Sequence, residues 1–117
     1  MKDEDTIVDT LRSLGIEKRR KKIKSDRRKI VYARDREKCR YCGKKVEYHL
    51  FHLDHVLPRY HWGNDYVFNL VVSCPECNMS KGANKNIVPE PLGIIDRLYE
   101  LYLIIKFKDF PEVGDFI

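Results

Sequence analysis

No run in the 117 residues approaches the roughly 18 to 20 consecutive apolar residues that a helix needs to span a bilayer. Met1 to Leu14 carries four acids and no apolar signal-peptide core, which sets the expectation of a cytoplasmic protein. Six glycines and five prolines are too few for collagen-like or low-complexity structure. With 43% of residues apolar and 35% charged, wholesale disorder is excluded as well. No internal repeat is visible beyond one paired cysteine motif. What remains is a small globular chain with room for one core and short extensions.

Positive charge is present but unevenly spread. Residues 17–50 hold fifteen Lys and Arg against five Asp and Glu, residues 51–86 are balanced, and both ends are acidic. Lys18, Arg19, Arg20, Lys21, Lys22, Lys24, Arg27, Arg28 and Lys29 form one block. Such a block attracts polyanions, because each neutralised phosphate releases condensed counterions. Nucleic acid is the leading partner, and a solvated basic helix face is the alternative.

The four cysteines form two CxxC pairs, Cys39 with Cys42 and Cys74 with Cys77, separated by 31 residues. Two residues between thiols let a tight turn aim both sulfurs at one ion, and two such turns complete a tetrahedron. A reducing cytosol argues against a disulfide framework, and no thioredoxin-like βαβ pattern supports a redox reading. The expectation is a structural zinc ion. Four thiolates leave no open coordination position, so such a site holds the scaffold and any chemistry lies elsewhere.

Ile7, Val8, Leu11 and Leu14 recur at helical spacing, which predicts a short helix over 5–14. A second helix is expected from Asp26 to Asp35, with Ser25 as N-cap. The first CxxC sits in a turn closed by Gly43. Residues 46–56 read as a strand or hairpin arm ending at Pro58, 59–65 as a loop, and 67–73 as a second strand. Pro75 suits the first position of a short helix and Gly82 its end, which places Cys77, Asn78 and Lys81 on one element. After Pro89 and Pro91, a strong helix runs from Leu92 to about Lys106. The fold class is α+β, with an N-terminal helix and basic segment (1–24), a core (25–86) and a C-terminal helical extension (87–117).

Between the cysteine pairs lie DHVLPR and FNLV, followed by CPEC and CNMSKG, and upstream stands ARDREKCRYCGKK. In this order the segments resemble the HNH endonuclease family over roughly residues 28–86. The resemblance implies a ββα-metal fold in which two strands and a helix hold one divalent cation. It further implies that His55 is the general base and that Asp54 ligates the ion. Asn69 would buttress the loop and help orient the base. Asn78 stands where many members have His, a departure that favours Mg²⁺ or Mn²⁺ over softer ions, because an amide oxygen is a hard ligand.

The residues support the same chemistry on their own. Phosphodiester hydrolysis needs an activated water, neutralised phosphate charge and a stabilised leaving oxygen. A histidine accepts a proton near neutral pH, and the Asp54 and Asn78 oxygens leave most of a cation's coordination sphere for water and phosphate. Arg59 and Lys81 are candidates for gripping the substrate, with ordinary surface roles as the alternative. His49 and His52 alternate with apolar neighbours and read as packing or solvent-facing residues. His61 and Trp62 read as loop anchors, with stacking of Trp62 on a base as the other option. Tyr99, Tyr102 and Phe107 mark the final helix as a core or homodimer face. DNA is the expected substrate. RNA cleavage by the same fold and a non-catalytic zinc-stabilised binding module are the rivals.

Overall fold

The computed structural model describes residue 23, residues 25–82, residue 84 and residues 86–116. The expected helix over 5–14 and the basic residues Lys18, Arg19, Arg20, Lys21 and Lys22 lie outside the described residues.

Helix α1 spans Ser25–Arg34, with Asp26 in its first turn and Arg34 in its last, the charge order that complements a helix dipole. Its inner face is Arg27, Ile30, Val31 and Arg34, all buried at helical spacing. Half of that face is cationic. Arg27 is 1% exposed, and its guanidinium forks onto Asp109 at 2.7 and 2.8 Å. It also meets Asp115 at 2.7 Å and the Asp65 carbonyl at 2.8 Å. Burial alone would lower its pKa, but Asp109 and Asp115 outweigh that and hold it above the ordinary value. Arg34 forks onto Asp35 at 2.8 and 3.0 Å and reaches Glu100 at 2.8 Å.

The expectation that Arg27 contacts nucleic acid is therefore corrected: it faces inward and pins the C-terminal segment. Arg28 is half-buried, 3.8 Å above the Phe51 ring, and donates to the carbonyls of Tyr48 and Phe51. Replacing Arg27 by Met would strand two buried carboxylates. The unfolding free energy should fall by about 3–5 kcal/mol in a urea titration. A change below about 1 kcal/mol, the range of a surface pair, would contradict this reading.

Strands β1 (His52–His55) and β2 (Leu70–Ser73) pair antiparallel, with Asp54 opposite Val71 and His55 opposite Leu70. All of β2 is buried. The strand expected over 46–56 shortens to four residues. Leu50 and Phe51 donate backbone N–H bonds to Glu47, which folds the preceding stretch into a turn and stacks Phe51 on Tyr32 at 5.0 Å. His49 consequently sits in that exposed turn rather than on a strand. The expected second strand likewise begins late, because Val67–Asn69 forms a 3-10 turn.

Helix α2 is Pro75–Lys81, capped by Cys74 and ended by Gly82, whose positive φ of 52° suits glycine. Helix α3 spans Ile94–Phe107 and packs against α1. Leu103 and Ile104 join Ile30, Val31, Leu70 and Val72 in one apolar cluster. No helix among the described residues is long and apolar enough to cross a membrane. Among the described residues, two strands in one antiparallel sheet, three α-helices and a cluster of four cysteines give a small α+β fold.

Candidate active site and metal centre

The first CxxC lies on a tight turn. Gly43 donates to the Cys39 carbonyl at 2.9 Å, Cys39 donates to Lys44 at 2.8 Å, and Gly43 takes a φ of 80°. The second opens α2, where the Cys74 sulfur accepts from the Cys77 backbone at 3.5 Å. The sulfurs of Cys39, Cys42, Cys74 and Cys77 all lie within 4.8 Å of one another. Those of Cys42 and Cys74 are 3.8 Å apart. A tetrahedron with metal–sulfur bonds of about 2.3 Å has edges of about 3.8 Å, so the set fits one ion.

Burial pushes the Cys77 thiol up, and the sulfurs of Cys74, Cys42 and Cys39 add to the shift. Burial acts the same way on Cys39, but the backbone N–H groups of Cys74, Cys42 and Tyr41 outweigh it and bring that thiol down. Four thiolates this close need a cation to coexist, and its binding must release protons. The four cysteines are positioned to form a metal site.

Beside this centre is a cleft of about 310 Å³. Asp54, His55, Arg59, Tyr60, Asn78 and Lys81 line it. Asp54 and His55 come from the end of β1, while Asn78 and Lys81 stand one turn apart on α2. Asp54 is 6% exposed and accepts a hydrogen bond from the Tyr41 hydroxyl. Burial and Asp54 together raise the Tyr41 pKa, so the hydroxyl keeps its proton and donates. Lys81 Nζ lies 3.4 and 3.3 Å from the two Asp54 oxygens and 2.7 Å from the His55 carbonyl.

Lys81, a candidate for gripping substrate phosphate with a surface role as the alternative, lines the cleft but is 4% exposed, with its ammonium held against Asp54. Oxygen donors from Asp54 and Asn78, on two elements facing one cleft, form a hard donor set. The Lys81 ammonium already balances the Asp54 carboxylate in this arrangement.

His55 Nε2 is 2.8 Å from Asp65 Oδ1. Burial lowers the His55 pKa, with the Arg59 charge acting the same way and Asp65 opposing. The ring is therefore neutral near pH 7 and able to accept a proton. For Asp65, burial acts upward, but bonds from Arg59 and His55 outweigh it and hold the carboxyl below its ordinary value. Arg59 spends its Nε on Asp65 at 2.8 Å.

Asn69 uses its side chain on the loop above. Its Oδ1 accepts from Leu57 at 2.8 Å, and its Nδ2 donates to the carbonyls of Leu57 at 2.9 Å and Asn64 at 2.8 Å. Gly63 fits beneath, where an added Cβ would come within 1.6 Å of the Leu57 carbonyl oxygen. His52 is exposed at the head of β1, and the exposed His49 lies 3.4 Å from Glu47. Trp62 is half-buried in a left-handed turn, and His61 packs edge-on against Tyr60.

Sequence reasoning missed Asp65 and Tyr41. Asp65 stood inside a Gly-Asn-Asp loop signal, where aspartate is an ordinary turn former. Tyr41 stood between the knuckle cysteines, and nothing local ties it to Asp54.

No curated protein matches the chain. Residues 39–84 match the family described as HNH endonuclease, a span that holds both cysteine pairs, both strands, α2 and the lining of the cleft. With the clustered cysteines, the two-stranded sheet and α2, the matched span of residues 39–84 is similar to the HNH endonuclease family and consistent with its ββα-metal fold.

Proposed function

We propose that this protein is a metal-dependent endonuclease that hydrolyses phosphodiester bonds in DNA. The observation that carries the reading is the convergence of Asp54, His55 and Asn78 on one cleft, beside a four-cysteine centre that fixes the start of α2. Zn²⁺ is the ion assigned to Cys39, Cys42, Cys74 and Cys77. Mg²⁺ or Mn²⁺ is assigned to Asp54 and Asn78, where it would neutralise phosphate charge and stabilise the departing 3′ oxygen.

The chain's own groups do the rest. The neutral His55 imidazole takes a proton from the attacking water. Tyr41 and Lys81 fix the Asp54 carboxylate by hydrogen bonding. Asn78 follows Cys77 directly, so the four-cysteine site preorganises an active-site residue. Lys18, Arg19, Arg20, Lys21 and Lys22 would supply backbone contacts to DNA, and Arg59 would face the substrate from the cleft wall. Ile94, Leu98, Leu101 and Ile105 leave an apolar stripe of α3 exposed. Pairing of two copies there would supply a second active site, turning nicking into double-strand cutting in the cytoplasm.

The test is a plasmid relaxation assay of zinc-loaded protein with and without Mg²⁺ or Mn²⁺. Metal-dependent nicked or linear product is expected, and the ratio of the two reports on pairing. A salt-sensitive mobility shift without any product would instead establish a binding module and make RNA the next substrate on the gel.

A further inference from the structure

We propose that Asp65 is the positioning residue for His55. It holds the imidazole in the tautomer protonated on Nε2, so that Nδ1 is the atom that accepts the proton from water. The assignment rests on the nuclease reading above.

The geometry leaves little choice of roles. Asp65 is 2% exposed, and its Oδ1 receives both His55 Nε2 at 2.8 Å and Arg59 Nε at 2.8 Å. A carboxylate beside a guanidinium stays ionised and can only accept, so Nε2 must donate. Neutral imidazole carries one ring proton, which leaves Nδ1 bare. Asn69, the residue that the family pattern puts forward to orient the base, spends its amide on Leu57 and Asn64. Ring orientation therefore falls to Asp65.

Both donors converge on one oxygen. Oδ2 is buried and has no hydrogen-bond partner among the described residues. An arrangement chosen for stability alone would satisfy both oxygens, and buried groups left short of partners gather at functional sites.

Asp65 is itself clamped from the C-terminal side. Its N–H donates to the Asp115 carbonyl at 2.9 Å, and its own carbonyl accepts from Arg27, which also binds Asp109 and Asp115. Tyr66, next in the chain, donates its hydroxyl to the Asp109 carbonyl at 2.8 Å. Residues 109–115 lie beyond the family match, yet they reach the base through Asp65.

The test pairs a spectroscopic readout with kinetics on the full chain. In a two-bond ¹H–¹⁵N spectrum of histidine-labelled protein, with the His55→Ala spectrum identifying the peak, His55 should show its proton on Nε2 at neutral pH. Asp65→Asn keeps the volume but lets an amide N–H face the ring, so the tautomers should mix or invert. Its kcat should fall by about 100-fold, with KM for DNA within about twofold, because only proton transfer is impaired.

A wild-type ring protonated on Nδ1 overturns the proposal, and that measurement needs no variant to fold. Asp65→Asn turning over within about threefold of wild type, on a plasmid that wild type cleaves, overturns it too. Wild type that cleaves nothing overturns the nuclease reading instead, while the spectrum still decides whether Asp65 fixes the ring.

Discussion

His55→Ala should lower turnover at least about a hundredfold while leaving folding and DNA binding nearly intact. The size follows from the role: a positioned general base contributes about 10²- to 10⁴-fold, and no second imidazole lines the cleft. The small structural effect follows from the contacts. The His55 side chain is 16% exposed, and the partner it leaves behind, Asp65, keeps Arg59 at 2.8 Å. The void opens to the cleft rather than to the apolar cluster, so the stability loss should stay near 1 kcal/mol.

Asp54 is a different case. Removing its carboxylate strands the Lys81 ammonium at 4% exposure and the Tyr41 hydroxyl beside it, so Asp54→Ala mixes lost chemistry with lost stability. Asp54→Asn keeps the shape and one acceptor oxygen for Tyr41 or Lys81 but still leaves the buried ammonium without its counter-charge, so it should abolish the response to Mg²⁺ with a smaller loss of stability than Asp54→Ala. Plasmid relaxation, thermal melting and a mobility shift on the same preparations separate these effects. Turnover retained in His55→Ala would remove it as the base, and an unchanged Mg²⁺ titration in Asp54→Asn would remove Asp54 as a ligand.

The parts of the fold that were readable in the sequence are those fixed by short-range chemistry. The two CxxC pairs needed only residue type and spacing to suggest one metal site, and their sulfurs do cluster. Pro75 and Gly82 bracketed α2 because one lacks an N–H that a first turn can spare and the other accepts a φ of 52°. Apolar periodicity placed α3 to within two residues at its start and one at its end.

The misses depended on partners far away in the chain. Arg27 belongs to a basic block by local composition, and only Asp109 and Asp115, more than 80 residues on, draw it inside. Lys81 gives no local sign that Asp54, 27 residues earlier, is folded against it. The run 46–56 had strand composition, but burial of Phe51 against Tyr32 favours a turn there. Asp54, His55 and Asn78, singled out by the resemblance to the family pattern, do line one cleft. Asp65 was not singled out, because an aspartate in a turn gives no sign of which side chain it faces.

Stripping the zinc proposed for the four-cysteine centre should unfold the protein rather than merely inactivate it. The core that the described residues bury is small: Ile30 and Val31 of α1, strand β2, Leu103 and Ile104 of α3, and Val46, Phe51, Tyr66 and Val67 with Cys39 and Cys74. Structural zinc in small domains contributes on the order of 10 kcal/mol, against a total stability of about 5–15 kcal/mol for an ordinary domain. Loss of the ion therefore consumes most or all of the margin. It also leaves four thiols packed together, with Cys39 and Cys74 buried.

Damage to the active site comes by the same route. Cys74 caps α2 and Cys77 lies in its first turn, so releasing them frees the helix that carries Asn78 and Lys81 into the cleft. A zinc-selective chelator added with Mg²⁺ in excess should abolish the cooperative thermal transition, and Cys74→Ser should accumulate as unfolded or degraded protein. Cys42→Ser, at the exposed corner of the cluster, should give a milder loss that added zinc partly restores. Metal analysis showing complete zinc removal with an unshifted melting curve would mean that ion pairs such as Arg27 with Asp109 and Arg34 with Glu100 hold the fold unaided. The four cysteines would then serve only to place Asn78.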